Sequence, residues 1–488
     1  MAFYADIELQ YKRMLYLSLT GRREESSTLP AANNTFFYPS ANLGWVFTEL
    51  KSFGNSNILS FGKLRASFAQ VGKDAPVYSL TSPFTTTSIK DGFTTGITFP
   101  FPGNIGGYQI SSGITTLGNP DLKPENTFSY EGGLDLGFLN DRISFSGTYY
   151  YSKSKDVIFP VSLPYTTGYA GKLLNAATIT NKGIELTLNT TPVKTTSGLK
   201  WDLNFNWSQN VNNVVSLAPG YDRFFVAGFG GGEAEIDAVA GQPFGVIYGN
   251  TTPHSDLNDL NSPLLITDIP GDPGYGQPVA AGQGPLMVIG NTNPKWIGSV
   301  ISSLTYKGIS FGFQIDVRQG GNVWNGTRGA LINKGTAALT NNRNQPVTFA
   351  GLLGHLDLNG AVVHFAADGV TELPGPGEPN TIQTTYSQYY WQNIQNSFGA
   401  GQEVDVEDGS FTRIRQVSLT YTLPSSVLSK IRFSGVSLTL FANNPKLWTK
   451  YDGVDPETSL AGPANAQGLD YFNNPGTKSY GIRLNLGF

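Results

Sequence analysis

Carboxylates cluster at Glu403, Asp405, Glu407 and Asp408. A pair of carboxyl groups flanking a glycosidic bond is the equipment of glycoside hydrolysis. Nothing in the spacing of this run sets two of them apart as such a pair, and it reads as a solvated loop leading into a strand that begins at Ser410. His355 and His364 sit in a long Gly-rich stretch with neither a Cys nor an acidic residue at zinc-ligand spacing. Asp256, Asn258 and Asp259 resemble the start of a calcium loop, but the central Gly and the closing Glu of an EF-hand are missing. Gly228 to Gly232 is Gly-rich, yet no Lys-Ser/Thr pair follows and no helix is readable there to hold a phosphate. Arg413 and Arg415 alternate in step with Val417 and Leu419, which puts all four on one strand face. Two basic residues on an apolar face could hold an anionic lipid headgroup, or snorkel to the edge of a bilayer, and snorkelling is the expectation here. These residues give no catalytic set, no metal site and no cofactor site, and binding residues remain unidentified.

The elements that would position such residues follow from composition and alternation. The chain has 488 residues, with Gly 58, Tyr 23 and Phe 30, and only 14% charged residues, so many turns and a weakly charged surface are expected. A net charge of −4 leaves no nucleic-acid footprint. Without cysteines there are no disulfides and no thiolate metal sites. No apolar run is long enough for a transmembrane helix. A mean hydropathy of −0.16 is compatible with a membrane barrel, in which half of each strand faces water.

Period-2 alternation marks roughly thirteen strands. They are Phe3–Gln10, a second carrying Leu15, Leu17 and Leu19, then Phe37–Leu50, Phe61–Gly72, Thr127–Phe138, Arg142–Ser152, Gly183–Thr191, Trp201–Gln209, Lys295–Lys307, Ile309–Arg318, Ser410–Leu423, Gly435–Asn443 and Tyr480–Phe488. In Thr127–Phe138, for example, Phe128, Tyr130, Leu134 and Leu136 oppose Ser129, Glu131 and Asp135. The connections alternate between short and long. Long ones run over Arg22–Phe36, Lys73–Asn126, Pro160–Lys182, Ala218–Pro294, Trp324–Gly409 and Pro445–Lys478. In an up-and-down sheet all of these fall at one end, the asymmetry of outer-membrane barrels with short periplasmic turns and long extracellular loops. The fold class expected is all-β: an antiparallel up-and-down transmembrane β-barrel, here an incomplete one with long loops at one rim.

Two further expectations concern the ends. Bacterial barrels have an even strand number and return both ends to the periplasm. An odd count, together with opening residues that lack a signal peptide's basic and apolar regions, makes residues 1–488 the C-terminal part of a longer receptor. In the closing strand, Tyr480, Ile482, Leu484, Leu486 and Phe488 share one face and are expected to form the signal read by the outer-membrane assembly machinery.

Several blocks carry a family resemblance. Asn119-Pro120-Asp121-Leu122-Lys123-Pro124-Glu125 resembles the segment preceding a barrel strand in TonB-dependent outer-membrane receptors. Val288-Ile289-Gly290-Asn291-Thr292-Asn293-Pro294-Lys295, Asp408-Gly409-Ser410-Phe411-Thr412-Arg413-Ile414-Arg415 and Tyr451-Asp452-Gly453-Val454-Asp455-Pro456-Glu457 are similar to segments of the SusC/RagA family of nutrient importers. The resemblance implies a barrel of about 22 strands whose lumen is plugged. It also implies an N-terminal plug and a TonB box, both expected outside these residues. The function implied is TonB-dependent import of oligosaccharides or peptides across the outer membrane. The partners implied are a SusD-like lipoprotein, the TonB complex, outer-membrane lipid and the assembly machinery. An outer-membrane enzyme or adhesin built on a barrel is the alternative.

Overall fold

The computed structural model describes residues 1–488 except 52, 54, 55, 57, 83–86, 90–96, 100–115, 170, 229–233, 281, 393–401, 432 and 463–465. Each expected strand is present. They are β1 Ala2–Tyr11, β2 Leu15–Glu25, β3 Thr35–Val46, β4 Leu59–Lys73, β5 Glu125–Phe138, β6 Ile143–Ser162, β7 Gly171–Lys194, β8 Lys200–Leu217, β9 Trp296–Tyr306, β10 Ile309–Gln319, β11 Phe411–Thr422, β12 Gly435–Thr449 and β13 Ser479–Gly487. The residues group into two compact units. The first comprises Met1–Pro192, Asp202–Phe225 and Val239–Phe244; the second comprises Val193–Trp201, Val226–Ala238 and Gly245–Phe488.

In the first unit β1 through β7 pair in chain order, each antiparallel to the next. The register explains the alternation. Leu64 faces Leu134, Leu136 faces Phe145, and Phe145 faces Leu188, while Lys63 faces Asp135 and Asp135 faces Ser146. Because opposed residues share a face, the apolar set forms one continuous face and the polar set the other. In the second unit β9, β10, β11, β12 and β13 pair in the same consecutive antiparallel way. There Phe311 faces Leu419, Leu419 faces Leu440, and Leu440 faces Ile482.

The short connections are tight for local reasons. Lys307 and Gly308 both have positive φ, 44° and 86°, as a two-residue hairpin turn matched to strand twist requires. Lys12 and Arg13 at the β1–β2 turn, and Leu139, Asn140 and Asp141 at the β5–β6 turn, are left-handed as well. One expected long loop is largely strand. Pro160–Lys182 is shortened because β6 runs on to Ser162 and β7 starts at Gly171. Register shifts between Asn175 and Ala177 and between Ala177 and Ile179 break the period-2 pattern there, so alternation cannot reveal the strand.

Side-chain burial is inverted relative to a water-soluble sheet protein. Large apolar residues of the strands are exposed, among them Ile7, Leu9, Leu43, Leu64, Ile184, Phe311, Leu419, Leu440, Ile482 and Leu484. Most of the fully buried side chains belong to the connections. In the first unit Leu29, Ala75 and Leu122 form a core with Phe36, Leu80, Ile158 and Leu173. In the second, Ile236, Ile247, Trp324, Ala466 and Leu469 do so, and Trp324 stacks on Tyr471. A bare apolar strand face of this extent belongs against lipid, and the loops need cores of their own because water surrounds them. Among the described residues no helix is long and apolar enough to cross a membrane, so any crossing is made by strands.

Candidate functional site

The polar faces of the strands are the surfaces that water and solutes meet in a barrel of this kind. In the first unit a groove of about 550 Å³ lies on this face, lined by Glu8, Gln10, Ser18, Asn42, Lys63 and Glu131 among others. Arg65 anchors its floor: Nε donates to Asp135 Oδ2 at 2.8 Å, and Nη2 donates to Asp135 Oδ1 at 3.1 Å and to Thr148 Oγ1 at 3.1 Å. A bidentate guanidinium–carboxylate contact fixes both partners, so charge is presented here at defined positions.

In the second unit the polar face carries an ion-pair network that the sequence reading misplaced. Arg413 and Arg415 do not share the face of Val417 and Leu419. The register passes from Gln314 opposite Gln416 to Ile315 opposite Ile414, leaving Arg415 as an extra, bulged residue. An inserted residue reverses the parity of everything beyond it, so Arg413 falls opposite Asp316 on the polar face. Arg413 is buried and donates from Nη2 to Asp455 Oδ1 at 2.5 Å, with Glu457 Oε2 at 3.2 Å. Arg415 donates from Nε to Asp316 Oδ2 at 2.7 Å and from both terminal nitrogens to Glu457, at 3.0 and 2.9 Å. Neither arginine snorkels. They clasp the segment Tyr451–Glu457 onto β11.

The blocks that carry the family resemblance are therefore contact points. In Asn119–Glu125, Leu122 is fully buried, Asn119 Nδ2 donates to Leu173 O at 2.9 Å, and Glu125 Oε1 accepts from Ile158 N at 3.0 Å. Thr292 Oγ1 donates to Gly245 O at 2.7 Å. Tyr451 donates its hydroxyl to Asp470 Oδ2 at 2.6 Å; burial first, and then this carboxylate, push the phenol well above its ordinary pKa.

The acidic run is a set of separate anchors, and the expectation that it is solvated is wrong for Asp405, which is fully buried. Arg328 lies 3.6 Å from Asp405, 3.7 Å from Glu407 and 3.5 Å from Asp452. Asn325 caps the helix α1 Gly326–Asn333 by accepting from Arg328 N at 3.0 Å, which fixes the backbone that carries this arginine. Glu407 also accepts from Asn325 Nδ2 at 3.0 Å and from Asp452 N at 2.7 Å. Asp408 accepts from Ser410 N at 2.9 Å and from its hydroxyl, which lowers the Asp408 pKa. Asp405 and Glu407 converge only on Arg328, where they serve as ion-pair partners of one guanidinium.

His355 and His364 are likewise fixed within the protein. His355 Nδ1 is 2.7 Å from Asp268 Oδ1 and its Nε2 is 3.4 Å from Glu372 Oε1, whereas His364 Nδ1 is 2.9 Å from Gly375 O. Asp256 and Asp259 accept from the backbone N–H of Asn258 and Asn261, both at 2.9 Å, as ordinary Asx turns. Among the described residues no group of three or more His, Cys, Asp or Glu could hold a metal ion. Of Gly228 to Gly232, residues 229–232 lie outside the described residues.

Sequence reasoning did not anticipate the pairing of His254 with Glu403. His254 Nε2 is 3.1 Å from Glu403 Oε1, and Nδ1 is 2.6 Å from Ser262 O. The contact with Glu403, opposed by burial, raises the His254 pKa above 6.5. A raised histidine pKa contributes stability that is full below the unfolded value and is lost as pH rises through the folded value. Proteolytic nicking of the segments around 254 and 403 should therefore increase from pH 6 to pH 8, and His254→Gln should abolish that difference. Identical nicking at both pH values in the unsubstituted protein would refute the assignment.

On β13, Tyr480, Ile482, Leu484 and Leu486 oppose Ala442, Leu440, Leu438 and Val436, so these four share the apolar face. Phe488 is 92% exposed, with its ring 5.1 Å from that of Phe433. The expected set thus lies together at one strand.

An antiparallel wall with one bare apolar face and one polar face, strung with long packed loops, defines a β-barrel of the outer membrane. The chain belongs to the TonB dependent receptor-like, beta-barrel family, which it matches over residues 1–444, a family of receptors and transporters and not of enzymes. It is 25% identical to TonB-dependent receptor P3 of Formosa agariphila, over 100% of this chain and 45% of that protein. It is 22% identical to TonB-dependent receptor SusC of Bacteroides thetaiotaomicron, over 95% of this chain and 42% of that protein. Its fold is similar to that in the structure of the RagAB peptide transporter, with a TM-score of 0.68 at 19% identity, covering 100% of this chain and 47% of that one. The chain spans about half the length of the curated relatives it matches.

Proposed function

We propose that this chain forms wall and outer loops of an active importer of oligosaccharides or peptides, energised through the TonB complex and working with a SusD-like lipoprotein seated over the long loops. The observation that carries this reading is the two-faced wall, apolar and bare on one side, polar and grooved on the other. Such a wall separates lipid from a wet lumen, which is what solute passage needs. The similar fold of a peptide transporter supports the peptide class, and the resemblance to nutrient importers keeps oligosaccharides beside it. The outer edges support reading the chain as one part of a larger barrel wall. Among the described residues β1 pairs with β2 and β13 with β12, and an edge left unpaired in lipid costs several kcal/mol per backbone group.

The test is uptake by cells carrying the full-length receptor or lacking it, using labelled oligosaccharides and peptides, with and without an uncoupler of the proton gradient. Uptake of at least one class should require both the receptor and the gradient, and a lipoprotein should co-purify with the receptor in mild detergent. Receptor-independent uptake of every compound would overturn the reading.

A further inference from the structure

We propose that Arg318 forms a carboxylate-binding subsite, so that the receptor prefers substrates carrying a carboxylate group. The inference rests on the importer reading and sharpens it. A cavity of about 450 Å³ in the second unit is lined by Arg318, Glu457, Thr458, Ser459 and Gln467, with Gly468. Arg318 is the penultimate residue of β10, which is followed by Gly320 and Gly321, both with positive φ. A Cβ on Gly321 would lie 2.6 Å from Arg318 Nη2, so glycine there gives the guanidinium room to lie across the turn. Arg318 Nη2 donates to Thr292 O at 2.7 Å, which fixes the plane of the group. Its Nε is buried with no hydrogen-bond partner, and among the described residues Arg318 is paired to no carboxylate within 4 Å.

The acid that shares the cavity is already committed. Glu457 takes both terminal nitrogens of Arg415 and lies 3.2 Å from Arg413. Asp455 and Asp316 are committed to the same two arginines. With Arg318 counted, three arginines face three carboxylates, so the cluster carries no net charge to attract an anion from afar. Selectivity has to come from direct contact, and an arginine with an unsatisfied donor is suited to a planar carboxylate. The buried Nε is out of a ligand's reach, but the other terminal nitrogen, Nη1, is open to solvent and has no hydrogen-bond partner among the described residues, so it is the donor a ligand oxygen meets. Thr458, Ser459 and Gln467 add hydroxyl and amide groups suited to the polar body of a sugar or a peptide.

The experiment uses full-length receptor in detergent and four probes: a uronate trisaccharide, its methyl ester, a free-acid tripeptide and its C-terminal amide. For at least one pair the acid should bind about 10- to 100-fold tighter than its neutral partner, the range for one hydrogen bond to a charged group. Arg318→Gln should abolish that preference while leaving neutral-probe binding within a few-fold, and heat-modifiable mobility reports that the barrel is folded. Gln467→Trp, which narrows the cavity without touching Arg318, should weaken both members of the pair. Which acid is preferred identifies the source as glycan or peptide. Equal binding of acid and neutral forms, preference that survives Arg318→Gln, or no binding of any acid overturns the proposal. Uptake of the same probes tests the importer reading separately, because an acid preference in binding without receptor-dependent uptake upholds the subsite and rejects import.

Discussion

Arg413→Met is expected to destabilise the second unit by about 3–5 kcal/mol, the range for removing one partner of a buried ion pair. Arg413 is 4% exposed and Asp455 is 6% exposed, so the substitution leaves a carboxylate that water cannot easily solvate. The Glu457 contact with Arg413 is lost as well, although Arg415 still holds that acid. Urea-dependent loss of heat-modifiable barrel is a suitable measure. The double substitution Arg413→Met with Asp455→Leu should recover most of the loss, since apolar groups of similar volume commonly replace a buried pair at little cost. Arg415→Met should do less harm. Its partners are partly exposed, and pairs open to solvent contribute about 0–1 kcal/mol. An Arg413→Met protein with an unchanged midpoint, or a double variant no better than the single one, would show that the clasp does not secure this segment.

That clasp also shows where sequence reading stops. Alternation located the strands because each has one face for lipid and one for water, and opposed pairs such as Leu136 with Phe145 confirm the phase. Bulges defeat the same method. Arg415 adds one residue to β11, and every assignment on its N-terminal side then lies on the wrong face, Arg413 included. The shifts around Ala177 hid the outer half of β7 for the same reason. Pattern reading assumes an unbroken period of two, and no local residue type announced either break.

The long connections were legible as lengths and not as structures. Trp324, Ile236, Ile247 and Leu469 come from four separate stretches of sequence to make one core, and no periodicity links them. The acidic run illustrates the consequence. Its composition reads as a solvated surface, whereas Asp405 is buried beside Arg328, a residue far away in sequence. Ion pairs that join distant segments leave no local signature. The resemblance blocks gave a hint, because Asp408–Arg415 and Tyr451–Glu457 prove to be the two sides of one contact.

Phe488→Ala is expected to abolish most outer-membrane insertion of the full-length receptor, an effect far larger than the packing it removes. Phe488 is almost fully exposed, with its ring tilted 44° to that of Phe433, so its folded-state contribution comes mainly from lipid. A lipid-facing Phe contributes about 1.5–3 kcal/mol. A barrel with apolar side chains along every strand would barely register that loss at equilibrium, so a packing role predicts nearly normal levels of folded protein. We propose instead that Tyr480, Ile482, Leu484, Leu486 and Phe488 form the element read by the assembly machinery. The common face of the first four on β13, with Phe488 directly after the strand, would offer an unfolded chain a single apolar stripe. Leu440→Ala is the control. It removes another exposed apolar side chain, from β12 opposite Ile482, and leaves the stripe untouched. Heat-modifiable barrel in outer-membrane fractions should fall severalfold for Phe488→Ala and stay near the unsubstituted level for Leu440→Ala. Phe488→Tyr, which keeps the aromatic ring, should assemble normally. Equal yields from Phe488→Ala and Leu440→Ala would leave Phe488 as one more lipid-facing residue, because both substitutions remove exposed apolar surface and only one touches the stripe.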